Sequence, residues 1–323
     1  MTIWKNKSLA KRFVNDCKLP IPIISEELFN YHLDLYQDLY HSRYKWDSLV
    51  KLIDEKFDGD SNSFLEEYYK VRDNIITDTL SNKAFIDFNT MSLKDYDISN
   101  KESIPSNNIY NQDNNGKVFI SIDIEKANFQ TLRKVNKDIV LNADTYEDFV
   151  GNFTDIEYIK ESKYTRQCIF GKLNPSRHIK IEKYFTYQIY ENLKTYSEKY
   201  GWKVVSLSND EIVYEVGNIF CDSYTIGKFI KDTLDITVHV NFYRLDAYQV
   251  YSNKDGNNKF VFYIKTDMVN SKRTLVTVPL QFHSIIYKLT NDIEVCQNDY
   301  HFSYEGIDCM FCDDFGIKKI ELR

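Results

Sequence analysis

The sequence predicts an α+β protein: an antiparallel sheet with packed helices, a helical region before it and a β-rich extension after it. Three observations carry this. Val118, Ile120, Ile122 and Ile124 alternate at the period of a strand buried on one face. Residues 175 to 200 carry apolar side chains at helical spacing between a proline and a glycine. From Ile236 onward, runs rich in β-branched and aromatic residues recur at Ile236 to Val250, Lys259 to Lys265 and Leu275 to Leu289.

At 323 residues the chain can bury an ample core, and 43% apolar with 28% charged residues is ordinary for a globular protein. The net charge of −7 argues against binding nucleic acid by bulk electrostatics, while leaving room for a local basic channel. Six scattered cysteines, with no signal peptide and no long apolar segment, lead us to expect free thiols, a cytoplasmic setting and no membrane partner.

In chain order, residues 1–24 are basic and end at Leu19-Pro20-Ile21-Pro22, which breaks any helix. Ser25 is expected to cap a helix bearing Leu28, His32, Leu35 and Leu39, and Asp47 a second through Leu49, Leu52 and Ile53. After Asp58-Gly59-Asp60-Ser61-Asn62, Ser63 and Glu66 read as a capping box. That loop lacks the twelfth-position Glu of a calcium loop and reads as a solvated turn. The polar residues 97–117 mark a boundary, and the central strand follows.

That strand carries Phe119, Ser121, Asp123 and Glu125 on its second face, then gives way to helical spacing from Ala127 to Leu132. Short elements fill 143–165. Asn174 and Pro175 open a long helix that ends at Gly201. Phe185, Ile189, Leu193, Tyr196 and Tyr200 form its apolar side; Arg177, Lys180, Lys183 and Lys194 face the other way. With Lys160, Lys163, Arg166 and Lys172 just before it, this is the most basic part of the chain. A hairpin comes next: Trp202 to Leu207, a turn at Ser208-Asn209-Asp210-Glu211, and Ile212 to Val216. Residues 224–234 read as a helix. His239 and His283 fall in apparent strands and read as structural, and the isolated pair Cys309 and Cys312, with Cys296 and His301 upstream, is weak ground for zinc.

The order is therefore a strand ending in an acid, a helix, a basic segment, an amphipathic helix, and a hairpin with an acid at its tip. Acids from adjacent strands can hold two divalent ions that activate a hydroxyl and stabilise a leaving pyrophosphate. Positive groups on a triphosphate complete such chemistry.

Asp123-Ile124-Glu125-Lys126-Ala127-Asn128-Phe129 resembles motif A of palm-domain nucleic-acid polymerases, and Asn209-Asp210-Glu211-Ile212-Val213-Tyr214-Glu215-Val216 resembles motif C, in the form closest to family A DNA polymerases. Lys163 through Gly171 is loosely similar to motif B of the fingers. The resemblance spans roughly residues 116 to 250. It implies a palm at 116–252 with a short basic fingers-like insertion near 143–183, a thumb-like helical region at 1–115, a final palm strand within Thr237 to Tyr248, and an extension at 253–323.

The resemblance further implies a minimal nucleotidyltransferase that extends a nucleic-acid 3′ end with two Mg²⁺ or Mn²⁺ ions. Asp123 and Asp210 would bind the metals with Glu211 in support. Lys163, Arg166, Asn128 and Phe129 would meet the incoming dNTP or NTP, and Lys172, Arg177, Lys180 and Lys183 the primer or primer-template. Asn128 is smaller than the residue these enzymes use to exclude a 2′-hydroxyl, so ribonucleotides come within reach. Departures are the short fingers, the lack of a proofreading domain, and Asn209 in place of a common histidine. Such a compact enzyme would suit a phage-infected bacterial cell or a mobile element.

Two rival readings stand beside this one. Asp123-Ile124-Glu125 with Ser176-Arg177-His178 resembles the paired-acid and nucleotide motifs of archaeal-eukaryotic primase-polymerases, but that class needs its histidine on a strand. An inactive palm that binds nucleic acid or protein is the other.

Overall fold

The computed structural model describes Trp4, residues 6–217 and residues 222–321. Its N-terminal part is helical: α1 (Lys7–Cys17), α2 (Glu26–Leu35), α3 (Gln37–Tyr40), α4 (Ser42–Phe57), α5 (Ser61–Ser81) and α6 (Lys83–Thr90). Ser25 caps α2, accepting from the Leu28 N–H at 3.2 Å. The next two starts differ from the sequence reading. α4 begins five residues before Asp47, behind His41 in the left-handed conformation (φ 54°). α5 is capped by Asp60, which accepts from the Asn62 N–H (2.9 Å) and the Ser63 hydroxyl (2.6 Å). A carboxylate ahead of Ser63 satisfies the first N–H groups one turn sooner and displaces the capping box.

After residue 117 come β1 (Val118–Ile124), α7 (Ala127–Val135), α8 (Tyr146–Gly151), α9 (Glu157–Glu161), α10 (Lys163–Lys172) and α11 (Pro175–Tyr200). α11 starts at the predicted proline and stops at Gly201, whose φ of 66° suits a residue without a Cβ. Asn174 does not cap it through its side chain. Its amide instead donates to Asn89 Oδ1 at 2.8 Å, tying the helix start to α6. The first core holds Phe13, Phe64, Phe85, Phe129, Phe149 and Phe170 together, so the N-terminal helices and residues 129–181 share one apolar cluster.

The hairpin is β2 (Lys203–Leu207) and β3 (Glu211–Val216), followed by α12 (Ser223–Leu234), β4 (Val238–Ser252), β5 (Asn258–Asp267), β6 (Arg273–Val276), α13 (His283–Thr290), β7 (His301–Tyr304), β8 (Ile307–Met310) and β9 (Phe315–Lys319). Among the described residues, seven strands form one sheet in the order β2-β3-β1-β4-β5-β6, with β9 on the far half of β4. Every pairing is antiparallel. β1 lies in the middle and is buried on both faces, not one. Ile120, Ile122 and Ile124 pack with α11 and α12, while Phe119 joins Val213 and Tyr243 on the opposite side.

The C-terminal part also departs from expectation. Leu275 to Leu289 is not one strand: its first two residues end β6, Pro279 interrupts it, and α13 follows with Ile285 and Ile286 buried. Apolar runs this short fit either period until packing decides. His283 therefore begins a helix, its ring held by the Tyr36 and Tyr40 hydroxyls at 3.2 and 3.3 Å. Five cysteines are free thiols, and Cys221 lies outside the described residues. No helix among the described residues is long and apolar enough to cross a membrane.

Candidate active site: acids at the end of the central strands

Antiparallel pairing of β1 with β3 sets Asp123 opposite Glu211, and pairing with β4 sets it opposite the exposed His239. Side chains of directly paired residues share a sheet face. The hairpin turn that carries Asp210 is tied down on two sides. The Ile124 N–H donates to the Asp210 carbonyl at 2.8 Å, and the Thr186 hydroxyl of α11 donates to the Asn209 carbonyl at 2.7 Å. Within the turn, the Ser208 N–H donates to the Glu211 carbonyl and the Glu211 N–H to the Ser208 hydroxyl. Glu211 Oε1 accepts from the Ser121 hydroxyl, two residues before Asp123 on the same strand face.

Burial and then the charges of Asp210 and Glu211 push the Asp123 carboxyl up to about 6, while Lys163 and Arg166 pull it down. The cations that act on this acid are thus two that the sequence nominated. They lie three apart on α10, the spacing that puts both on one helix side. Neither is engaged in an ion pair among the described residues. Arg166 lies over the Tyr146 ring at 5.7 Å; burial lowers its pKa, and Tyr146, Glu147 and Asp123 raise it.

The start of α10 is fixed by a buried polar network. Ser162 Oγ accepts from the Thr165 N–H (3.0 Å) and donates to Asp16 Oδ1 (3.1 Å). Asp16 also accepts from Tyr68 (2.8 Å) and Tyr158 (2.9 Å) and pairs with Arg12 at 3.3 Å.

Asn128 donates to Glu182 Oε1 at 2.6 Å. Glu182, on α11, is only 4% exposed. Burial first and Asp210 second push its carboxyl up to about 7, against the Asn128 hydrogen bond. The sequence reading missed Glu182, Ser121 and Thr186. The one available signal was that Glu182 and Thr186 lie four apart on the apolar side of the long helix.

Two nominated residues are corrected. The Phe129 ring is 1% exposed and packs against Tyr146 and Phe149, so it is core and cannot touch a nucleotide. Arg177 donates to the Met91 carbonyl at 2.6 Å and lies over Phe88, holding α11 to the helical region and not to a ligand. Lys172, Lys180 and Lys183 are exposed at the end of α10 and along the first turns of α11. His178 lies in the first turn of α11, 1% exposed between Phe88 and Phe170, and not on a strand.

Among the described residues, no three His, Cys, Asp or Glu side chains form a ready-made metal cage. Asp123 and Asp210 offer hard oxygen donors, a set that suits Mg²⁺ or Mn²⁺ in sites completed by water and substrate phosphates. No protein-family model matches the sequence, and no curated protein matches it significantly.

Proposed function

We propose that this chain is a nucleotidyltransferase that adds nucleotides to the 3′ end of a nucleic acid. One observation carries the reading: Asp123 pairs across the sheet with Glu211, and the next residue of β1 binds the Asp210 carbonyl, so three acids meet at one end of the hairpin. There Lys163 and Arg166, which form no ion pair among the described residues, favour the charged form of Asp123. Crowded carboxylates disfavour their own ionisation, which a divalent cation would relieve. Asp123 and Asp210 would hold two Mg²⁺ or Mn²⁺ ions, supplying activation of the 3′ hydroxyl and charge stabilisation on the departing pyrophosphate.

The chain's own groups do the rest. Lys163 and Arg166 take the triphosphate, with Arg166 able to grip two oxygens at once. Ser121 fixes Glu211 beside the metal ligands. Asn128, orientated by Glu182, borders the sugar. Lys172, Lys180 and Lys183 offer exposed positive charge to the primer or primer-template backbone. The 3′ oxygen forms a bond to the α-phosphorus as the bond to the bridging oxygen breaks; pyrophosphate leaves and the hydroxyl proton passes to water. The primase-like alternative is disfavoured by the buried, helical His178. Cytoplasm is the setting this chemistry fits.

The test is extension of labelled DNA and RNA oligonucleotides with each dNTP and NTP, with Mg²⁺ or Mn²⁺, with and without a template. Products that disappear in Asp210→Ala support the reading, and the preferred sugar reports what Asn128 admits. No product under any condition removes it in favour of an inactive, binding-only domain.

A further inference from the structure

The first helix of the N-terminal region reaches α10. The Ser162–Asp16 hydrogen bond at 3.1 Å joins the cap of α10 to the end of α1. Lys18 lies two residues beyond Asp16, and Lys163 one residue beyond Ser162, so both lysines flank the junction where α1 packs on α10. Lys18 ends α1 in the left-handed conformation (φ 50°), where the helix stops and an exposed side chain departs. Its ammonium is disfavoured by partial burial and then by the charges of Lys163 and Arg166.

Two acids nearby are already committed. Asp16 is buried and receives Arg12, Tyr68, Tyr158 and Ser162. Glu147 holds Lys126 at 2.5 Å. Among the described residues, no hydrogen bond or ion pair engages the side-chain nitrogens of Lys18, Lys163 or Arg166. Three crowded cations repel one another, and a multiply charged anion between them would reverse that repulsion. Lys163 and Arg166, but not Lys18, also act on the Asp123 carboxylate.

We propose that Lys18, Lys163 and Arg166 form an oligophosphate cradle, so that the N-terminal helix closes over the triphosphate tail of the nucleotide. This rests on the nucleotidyltransferase reading for the identity of the ligand, but the cradle is testable without turnover. Inorganic tripolyphosphate is titrated into the full chain in the presence of a chelator, with a single-stranded oligonucleotide as a separate arm. Lys18→Gln weakens tripolyphosphate binding about tenfold, the loss of one charge-assisted contact. Lys18→Arg retains binding, and Lys11→Gln, an exposed change on the same helix, leaves it unaltered.

Wild-type protein that ignores tripolyphosphate overturns the cradle, as does a Lys18→Gln effect confined to the oligonucleotide arm. Tripolyphosphate binding that depends on Lys18, without oligonucleotide extension under any condition, leaves the cradle standing and removes the polymerase reading. Extension with an unchanged nucleotide KM in Lys18→Gln does the reverse.

Discussion

At Asp123 the fold holds a carboxylate where burial and two acidic neighbours all disfavour its charge. Groups of this kind cluster at functional sites, which is what makes Asp123 a candidate. Replacing it with the isosteric Asn removes the crowded charge. Asp123→Asn is therefore expected to abolish transfer and yet raise stability without divalent ions by roughly 1–2 kcal/mol. Thermal unfolding at pH 7.5 in chelator checks this; a lower midpoint for the variant would make Asp123 a structural residue. Lys163→Ala and Arg166→Ala should each raise nucleotide KM about tenfold or more, read from initial rates, and unchanged values would take them out of the site. Asp123 and Asp210 were legible because an acid after alternating apolar residues, or within a four-residue turn, stands out from its surroundings. Glu182 was not. An acid on an amphipathic helix reads as solvent-facing until the packing of the helix is known, and only tertiary structure puts it 4% exposed beside Asn128.

Among the elements, α11 does more than fill the core. It supplies Thr186 to the hairpin turn and Glu182 to Asn128 from successive turns of one face. Thr186→Val keeps the volume but leaves the Asn209 carbonyl without its donor, so the turn carrying Asp210 should loosen. Transfer is expected to fall about tenfold with nucleotide KM little changed; a purely higher KM would place the effect elsewhere. β1, α11, β2 and β3 were readable because each has a clear period and a defined stop, such as Gly201. α13 was misread because Ile285, Ile286 and Leu289 form a short apolar run that suits a strand as well as a helix. The two misplaced caps, at Asp47 and Ser63, show the same limit: several polar residues compete to start a helix, and local geometry selects one.

Across the whole molecule, two buried histidines connect its parts. His178 joins α11 to the helical region, and His283 joins α13 to α3 and its flanking Tyr36. Burial lowers both to about 4 from an unfolded value of 6.5. Between those values the unfolded chain binds more protons than the folded one, so stability rises with pH across this window and is lost as pH falls. Each histidine contributes about 2 kcal/mol of destabilisation at pH 5. Urea unfolding at pH 7 and pH 5 should show this loss, and His178→Leu should remove its share; an equal loss in the variant would contradict it. The class of fold was visible in the sequence because period and composition are local. The shared core of residues 9–88 and 129–181 was not, because no pattern within either segment says which partner covers its apolar side.

The most direct test of the central claim is pyrophosphate released per oligonucleotide terminus, measured with Mg²⁺ and with Mn²⁺ for wild type, Asp123→Asn and Asp210→Asn at matched folding. Metal-dependent release by wild type, reduced at least a thousandfold in both variants, is the expected result, about 4 kcal/mol or more of lost transition-state stabilisation. Release that persists in either variant, or that needs no divalent ion, would contradict the assignment of these two aspartates.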